Sequence, residues 1–90
     1  MKEALYFYLA ACPHCKYADK VMAEVRQDPK YANVEIKEIE ESLNEEFASK
    51  FEYNYVPTFF IDGVKVFEAQ PGSEFEKEDC IKLFDKILGK

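Results

Sequence analysis

Residues 5–9, Leu-Tyr-Phe-Tyr-Leu, are apolar or aromatic at every position. A strand with one face in water alternates apolar and polar residues, so an unbroken run belongs at the centre of a sheet covered on both faces. The rest of the chain must therefore supply layers above and below that strand. Ninety residues leave room for one domain, residues 1–90, built around one core.

The covering layers can be read in order. Residues 13–27 read as a helix, because Ala18, Val21, Met22 and Val25 recur at three- and four-residue steps until Asp28-Pro29 ends the run. Residues 34–39 read as a second strand, mixed with charge and so expected at an edge. Strand, helix, strand makes a parallel, right-handed crossover. Ser42-Leu43-Asn44-Glu45 has the form of a capping box, and the helix it opens is expected to bury Leu43, Phe47 and Phe51 on one stripe.

Thr58-Phe59-Phe60-Ile61 and Val64-Lys65-Val66-Phe67 then flank Asp62-Gly63. Both of those residues tolerate positive φ, which predicts a tight hairpin. Ser73-Glu74-Phe75-Glu76 reads as a second capping box, opening a final helix with Ile81, Phe84, Ile87 and Leu88 facing inward. Cys80 falls on the same stripe and reads as a small buried hydrophobe. The sum is an α/β fold, β-α-β-α-β-β-α, with a four-stranded mixed sheet covered by helices on both faces.

Composition narrows the function. The net charge of −6 argues against nucleic acid and disfavours anionic membranes. No stretch approaches the roughly 18 consecutive apolar residues that a spanning helix needs. Leu9-Ala10-Ala11-Cys12 has the outline of a lipoprotein processing site. Met1-Lys2-Glu3 gives that leader no net basic start, however, and cleavage would remove the central strand. The first strand is therefore expected to stay.

Three cysteines remain, one close pair and one distant. A secreted disulfide scaffold normally carries four or more, and a bridge across Cys12-Pro13-His14-Cys15 closes too small a loop to stabilise much. That spacing suits chemistry. Cys12 follows a strand and stands at a helix start, where unpaired amides and aligned peptide dipoles favour an anion. Pro13 suits the first helical position, since its missing N–H costs nothing there. His14 is a candidate tuning cation, with Lys16 nearby. The Cys12 thiol is expected to fall from about 8.5 into the window of about 3.5–7.5 seen at such sites. Cys15, on the same face, is the candidate resolving thiol. The arithmetic favours a more oxidising poise over a faster attacker: a low pKa gains Cys12 only a few-fold as an attacker, because each thiolate is less nucleophilic, but about tenfold as a leaving group. A zinc site would draw on Cys80 and His14 as further ligands, and His14 is badly placed for tetrahedral closure between the two cysteines. No metal site is expected.

Cys12-Pro13-His14-Cys15 together with Val56-Pro57-Thr58 resembles the thioredoxin superfamily. The element order and length are most similar to a glutaredoxin, over nearly the whole chain. The resemblance implies a cis bond before Pro57, packed against the redox pair. It also implies that Val56 offers its backbone to the substrate in strand-like fashion. Two departures place the chain within the superfamily. It lacks the Trp, the Cys-Gly-Pro-Cys and the buried strand acid usual in thioredoxins, and Tyr6 and Tyr8 stand in that strand. It also lacks the basic residue before the first cysteine and the Gly-Gly-acid turn with which glutaredoxins hold glutathione, having Glu68-Ala69-Gln70-Pro71-Gly72 instead.

The expectation is a cytoplasmic, monomeric thiol–disulfide oxidoreductase with no bound cofactor, acting on disulfide-containing protein substrates. Electrons would come from a reductase or from glutathione as co-substrate, with a protein donor favoured because the glutathione-holding residues are incomplete. A glutathione-dependent glutaredoxin is the second reading. A zinc or iron–sulfur binding module using Cys12 is the third.

Overall fold

The computed structural model describes residues 1–90. The apolar run forms β1 (Ala4–Tyr8), followed by α1 (Pro13–Val25) and β2 (Lys37–Glu40). A 3-10 turn at Glu41–Leu43 leads to a short α2 (Glu45–Ala48), then β3 (Thr58–Ile61), β4 (Val64–Glu68) and α3 (Lys77–Ile87). The sheet order is β2-β1-β3-β4. β2 runs parallel to β1, while β3 is antiparallel to both β1 and β4, so the sheet is mixed. No helix is long and apolar enough to cross a membrane.

Alternation along β1 separates two cores. Ala4 and Tyr6 face the layer made by α1 and α3, where they meet Ala18, Val21, Met22 and Val25 of one helix and Leu83, Phe84 and Ile87 of the other. Leu5 and Phe7 face the opposite way, toward Ile39, Phe60 and Ala48, with Phe51 and Tyr53 packed beside them. The centre of the first core is an aromatic stack, Phe59 lying 4.7 Å from Tyr6 and 4.6 Å from Phe75 between ring centroids. Such offset pairs add to simple burial. Cys80 is fully buried among these side chains.

The hairpin follows its sequence signal. Asp62 (φ 49°) and Gly63 (φ 82°) both take positive φ, which lets the turn match the right-handed twist of β3 and β4.

Two helix starts differ from expectation. Glu40, not Ser42, controls the first: its carboxylate accepts both the amide and the hydroxyl of Ser42, each at 2.7 Å. The serine hydroxyl thus turns to an acid and caps no helix amide. The chain turns at Glu41–Leu43, and α2 is too short to carry a buried stripe. Leu43 is consequently 80% exposed and Phe47 36%, while Phe51, beyond the helix, packs on Phe7 at 5.0 Å.

At α3 the capping box is Glu76 with Asp79, not Ser73 with Glu76. Phe75 is the reason. It is fully buried against Phe59 and Phe67, which holds residues 73–75 across the sheet and delays the helix to Lys77. The second strand also starts late, at Lys37, although Val34 is buried before it.

Candidate active site

The turn between β1 and α1 carries the cysteine pair. The Cys12 amide donates to the Leu9 carbonyl at 3.1 Å, and the Ala10 amide donates to Glu40 Oε2 at 3.1 Å. Hydrogen bonds from Ser42 and from that Ala10 amide hold the Glu40 carboxyl below its ordinary value. The edge strand therefore pins the turn from one side. Cys12 is the extended residue before the helix (φ −79°, ψ 117°), and Pro13 takes the first helical position. No side chain caps this end and no acid lies in the first turn, so the positive end of the helix is left to face the Cys12 sulfur.

The two thiols differ in environment. Cys12 is half-buried, whereas Cys15 is 1% exposed beneath it, and all three cysteines are free. Burial pushes the Cys15 thiol up to about 12, with the Leu9 amide opposing the shift and contact with the Cys12 thiol adding to it. At neutral pH Cys15 is therefore a protonated donor beside an accessible sulfur. Cys80 is likewise pushed by burial to about 12 and remains an inert part of the core.

His14 points away from the pair toward the segment before α3, where its Nδ1 meets Glu74 Oε1 at 2.5 Å. One turn along, the Tyr17 hydroxyl donates to Glu76 at 2.5 Å. These contacts tie the start of α1 to residues 74–76 and set the His14 ring against a carboxylate.

The Val56–Pro57 bond is cis, in keeping with the resemblance drawn from the sequence. Pro57 is buried, and its carbonyl accepts the Ala69 amide at 3.0 Å. Glu68 holds the approach to this bond by accepting the amides of Asn54 and Tyr55. His14 and Val56 share the lining of a cleft of about 220 Å³ with Ala69, Gln70 and Ser73. Cys12, Pro13, His14 and Cys15 thus sit together on one turn, and Val56 shares a cleft with one of them. No Lys or Arg lines that cleft. A second cleft of about 390 Å³ beside Leu9 is lined by Glu41 and Glu45, again with no cation. Neither cleft thus offers a Lys or Arg to pair with the two carboxylates of a ligand such as glutathione. No group of three or more His, Cys, Asp or Glu side chains is gathered in an arrangement that could hold a metal ion.

Several contributors escaped sequence reasoning. Glu74 and Glu40 reach the site from remote parts of the chain, and nothing in their local sequence marks them. Tyr6 and Asp19 were legible in principle. Tyr6 is on the β1 face that meets α1, and Asp19 is one helical turn beyond Cys15. The Tyr6 hydroxyl lies 3.0 Å from Asp19 Oδ1 and 3.1 Å from the Cys15 carbonyl oxygen.

A family model described as Thioredoxin matches residues 2–85. Twelve chains of solved structures are similar to this one. Among them is a protein described as "Structure of a malarial protein". It is 21% identical over 98% of both chains with a TM-score of 0.68, a likeness of fold. No curated protein matches.

Proposed function

The chain belongs to the thioredoxin family, and from that premise we propose that it is a monomeric, cytoplasmic thiol–disulfide oxidoreductase that reduces protein disulfides through Cys12 and Cys15. One observation carries this reading: an accessible sulfur at an uncapped helix start lies directly over a buried, protonated thiol. The sulfur that attacks first must be reachable, and the one that resolves must wait.

In the reaction, the Cys12 thiolate attacks one sulfur of the substrate disulfide. The S–S bond breaks, one substrate thiolate leaves, and a mixed disulfide forms. Cys15 then loses its proton and attacks Cys12, the second substrate sulfur leaves, and Cys12–Cys15 is the oxidised product. Val56 and the cis-Pro57 segment present backbone to an extended substrate in the cleft beside His14. A polypeptide gains from such backbone pairing without needing a cation. For the same reason a flavoprotein reductase is favoured over glutathione as electron donor.

Insulin reduction tests both parts. The protein is assayed with a thioredoxin reductase and NADPH, and separately with glutathione and glutathione reductase. Turnover is expected with the flavoprotein reductase and little with glutathione. Turnover with glutathione alone would make the chain a glutaredoxin, and turnover with neither would refute the proposal.

A further inference from the structure

We propose that the cleft beside Leu9 receives a basic side chain, lysine or arginine, that flanks the reacting disulfide of a polypeptide substrate. The inference rests on the reading of Cys12 as the sulfur that attacks protein disulfides, and it adds the class of sequence that is favoured.

The position of the cleft comes first. Leu9, in its wall, precedes Cys12 by three residues, and its carbonyl accepts the Cys12 amide at 3.1 Å. Tyr53, also in the wall, precedes Val56 by three residues. The cleft therefore opens between the chain leading to the attacking sulfur and the chain leading to the cis bond. A substrate strand that pairs with Val56 and brings its disulfide to Cys12 passes beside it. An extended chain advances about 3.3 Å per residue, so the side chains that can enter belong to residues within about three positions of the substrate cysteine.

The lining then selects the chemistry. Leu9, Ala48, Phe51 and Tyr53 supply apolar and aromatic surface, Glu41 and Glu45 supply carboxylates, and no Lys or Arg lies in the wall. That combination matches a long cationic side chain. Its methylene stem covers apolar surface, its head meets the carboxylates, and aromatic faces attract a cation as well. An acidic side chain would meet like charge, and a wholly apolar one would strip water from the carboxylates without replacing it.

Glu41 is held ready. The Tyr53 hydroxyl donates to its Oε1 at 2.6 Å, and the Tyr53 ring is fixed 5.0 Å from Phe7. Burial, and next the bond to Glu41, push the Tyr53 phenol up, so it remains a donor throughout the working pH range. Neither Glu41 nor Glu45 is in an ion pair, since the two that form are His14–Glu74 and Lys65–Glu68. Glu40, next in the chain, differs: its oxygens are taken by Ser42 and by the Ala10 amide, so it serves the turn and not the cleft.

Ion pairs at an open surface are individually weak and are screened by salt. Two together support a preference of about fivefold at low ionic strength.

The probes are short peptides whose single cysteine is joined to a coloured aromatic thiol. When the Cys12 thiolate attacks the peptide sulfur, the S–S bond breaks and the aromatic thiolate leaves, so colour reports that first step. The peptides carry Lys, Gln or Glu at spacings of about one to three residues from the cysteine. Each rate is divided by that of the same peptide with mercaptoethanol, an uncharged thiol. At low salt the best Lys peptide is expected to react about fivefold faster than its Gln counterpart, with the Glu peptide slower than both. In Glu41→Gln/Glu45→Gln the advantage should fall below about twofold. Glu24→Gln/Glu35→Gln removes the same charge from exposed positions at the far end of α1 and ahead of β2, and should leave the advantage intact. Equal rates for Lys and Gln peptides at every spacing overturn the inference and leave the proposed function standing. So does an advantage that survives Glu41→Gln/Glu45→Gln, or one that falls equally in Glu24→Gln/Glu35→Gln. No release of colour from any peptide overturns the proposed function and this inference with it.

Discussion

The inequality of the two active-site thiols can be measured directly in a Cys12→Ser variant treated with iodoacetamide. Burial puts the Cys15 thiol at about 12, so about one molecule in 10⁵ carries the thiolate at neutral pH. An unperturbed cysteine at about 8.5 is roughly 3% ionised, about 3,000-fold more. The scarcer thiolate is the better nucleophile, and a Brønsted slope of about 0.4–0.5 over this difference returns roughly fortyfold. The net expectation is alkylation of Cys15 about a hundredfold slower in the folded variant than in urea. Steric shielding slows it further, since the residue is 1% exposed. The substitution also removes the Cys12 thiol contact, a lesser cause of the shift than burial. Mass spectrometry of the alkylated peptides separates Cys15 from Cys80, which burial should protect similarly. Equal rates for Cys15 in the folded and unfolded chain would refute the reasoning that its thiol waits, protonated, beneath the first.

Other consequences are open to measurement. His14→Ala should lower the reduction potential by about 15–30 mV in glutathione redox buffers. The fall stays modest because Glu74 already faces the imidazole, and an unchanged potential would remove His14 from the tuning of the pair. Phe59→Ala opens the aromatic stack at a fully buried site and should cost about 3–5 kcal/mol in urea unfolding. Leu43→Ser, at an 80% exposed position, should change stability by less than about 0.5 kcal/mol; a large loss would restore the buried stripe that the sequence suggested.

Acid sensitivity follows from Glu40 and Glu68. Hydrogen bonds to Ser42 and the Ala10 amide hold the first below its ordinary 4.5. Burial raises the second, but Lys65 and the amides of Asn54 and Tyr55 outweigh that and hold it below the same value. A carboxyl lowered on folding stabilises the protein at pH above its unfolded value, and that stability is lost as pH falls through the folded value. Thermal stability should therefore be steady near neutrality and decline below about 4.5. Glu40→Gln should flatten that decline.

What was legible in the sequence was whatever depends on neighbours along the chain. The apolar run at 5–9, the helical recurrence of Ala18, Val21, Met22 and Val25, and the Asp62-Gly63 turn are local patterns, and each appears where its period or its positive φ requires. The cysteine pair at a strand-to-helix junction is local as well. Both capping boxes were matched by residue type, yet neither formed at its expected position. The Ser42 hydroxyl found a stronger partner in Glu40, and Phe75 had more to gain from the aromatic stack than from a helical turn.

Tertiary structure alone decided the surroundings of the sulfurs. Glu74 meets His14 from 60 residues away, and Glu40 holds the Ala10 amide from 30. Burial beneath the first turn, which no spacing rule measures, separates Cys15 from Cys12. Side-chain periodicity depends on backbone geometry within one element, so a sequence displays it. Desolvation and charge pairing depend on what the rest of the folded chain places within a few ångströms, and only the assembled layers bring those groups there.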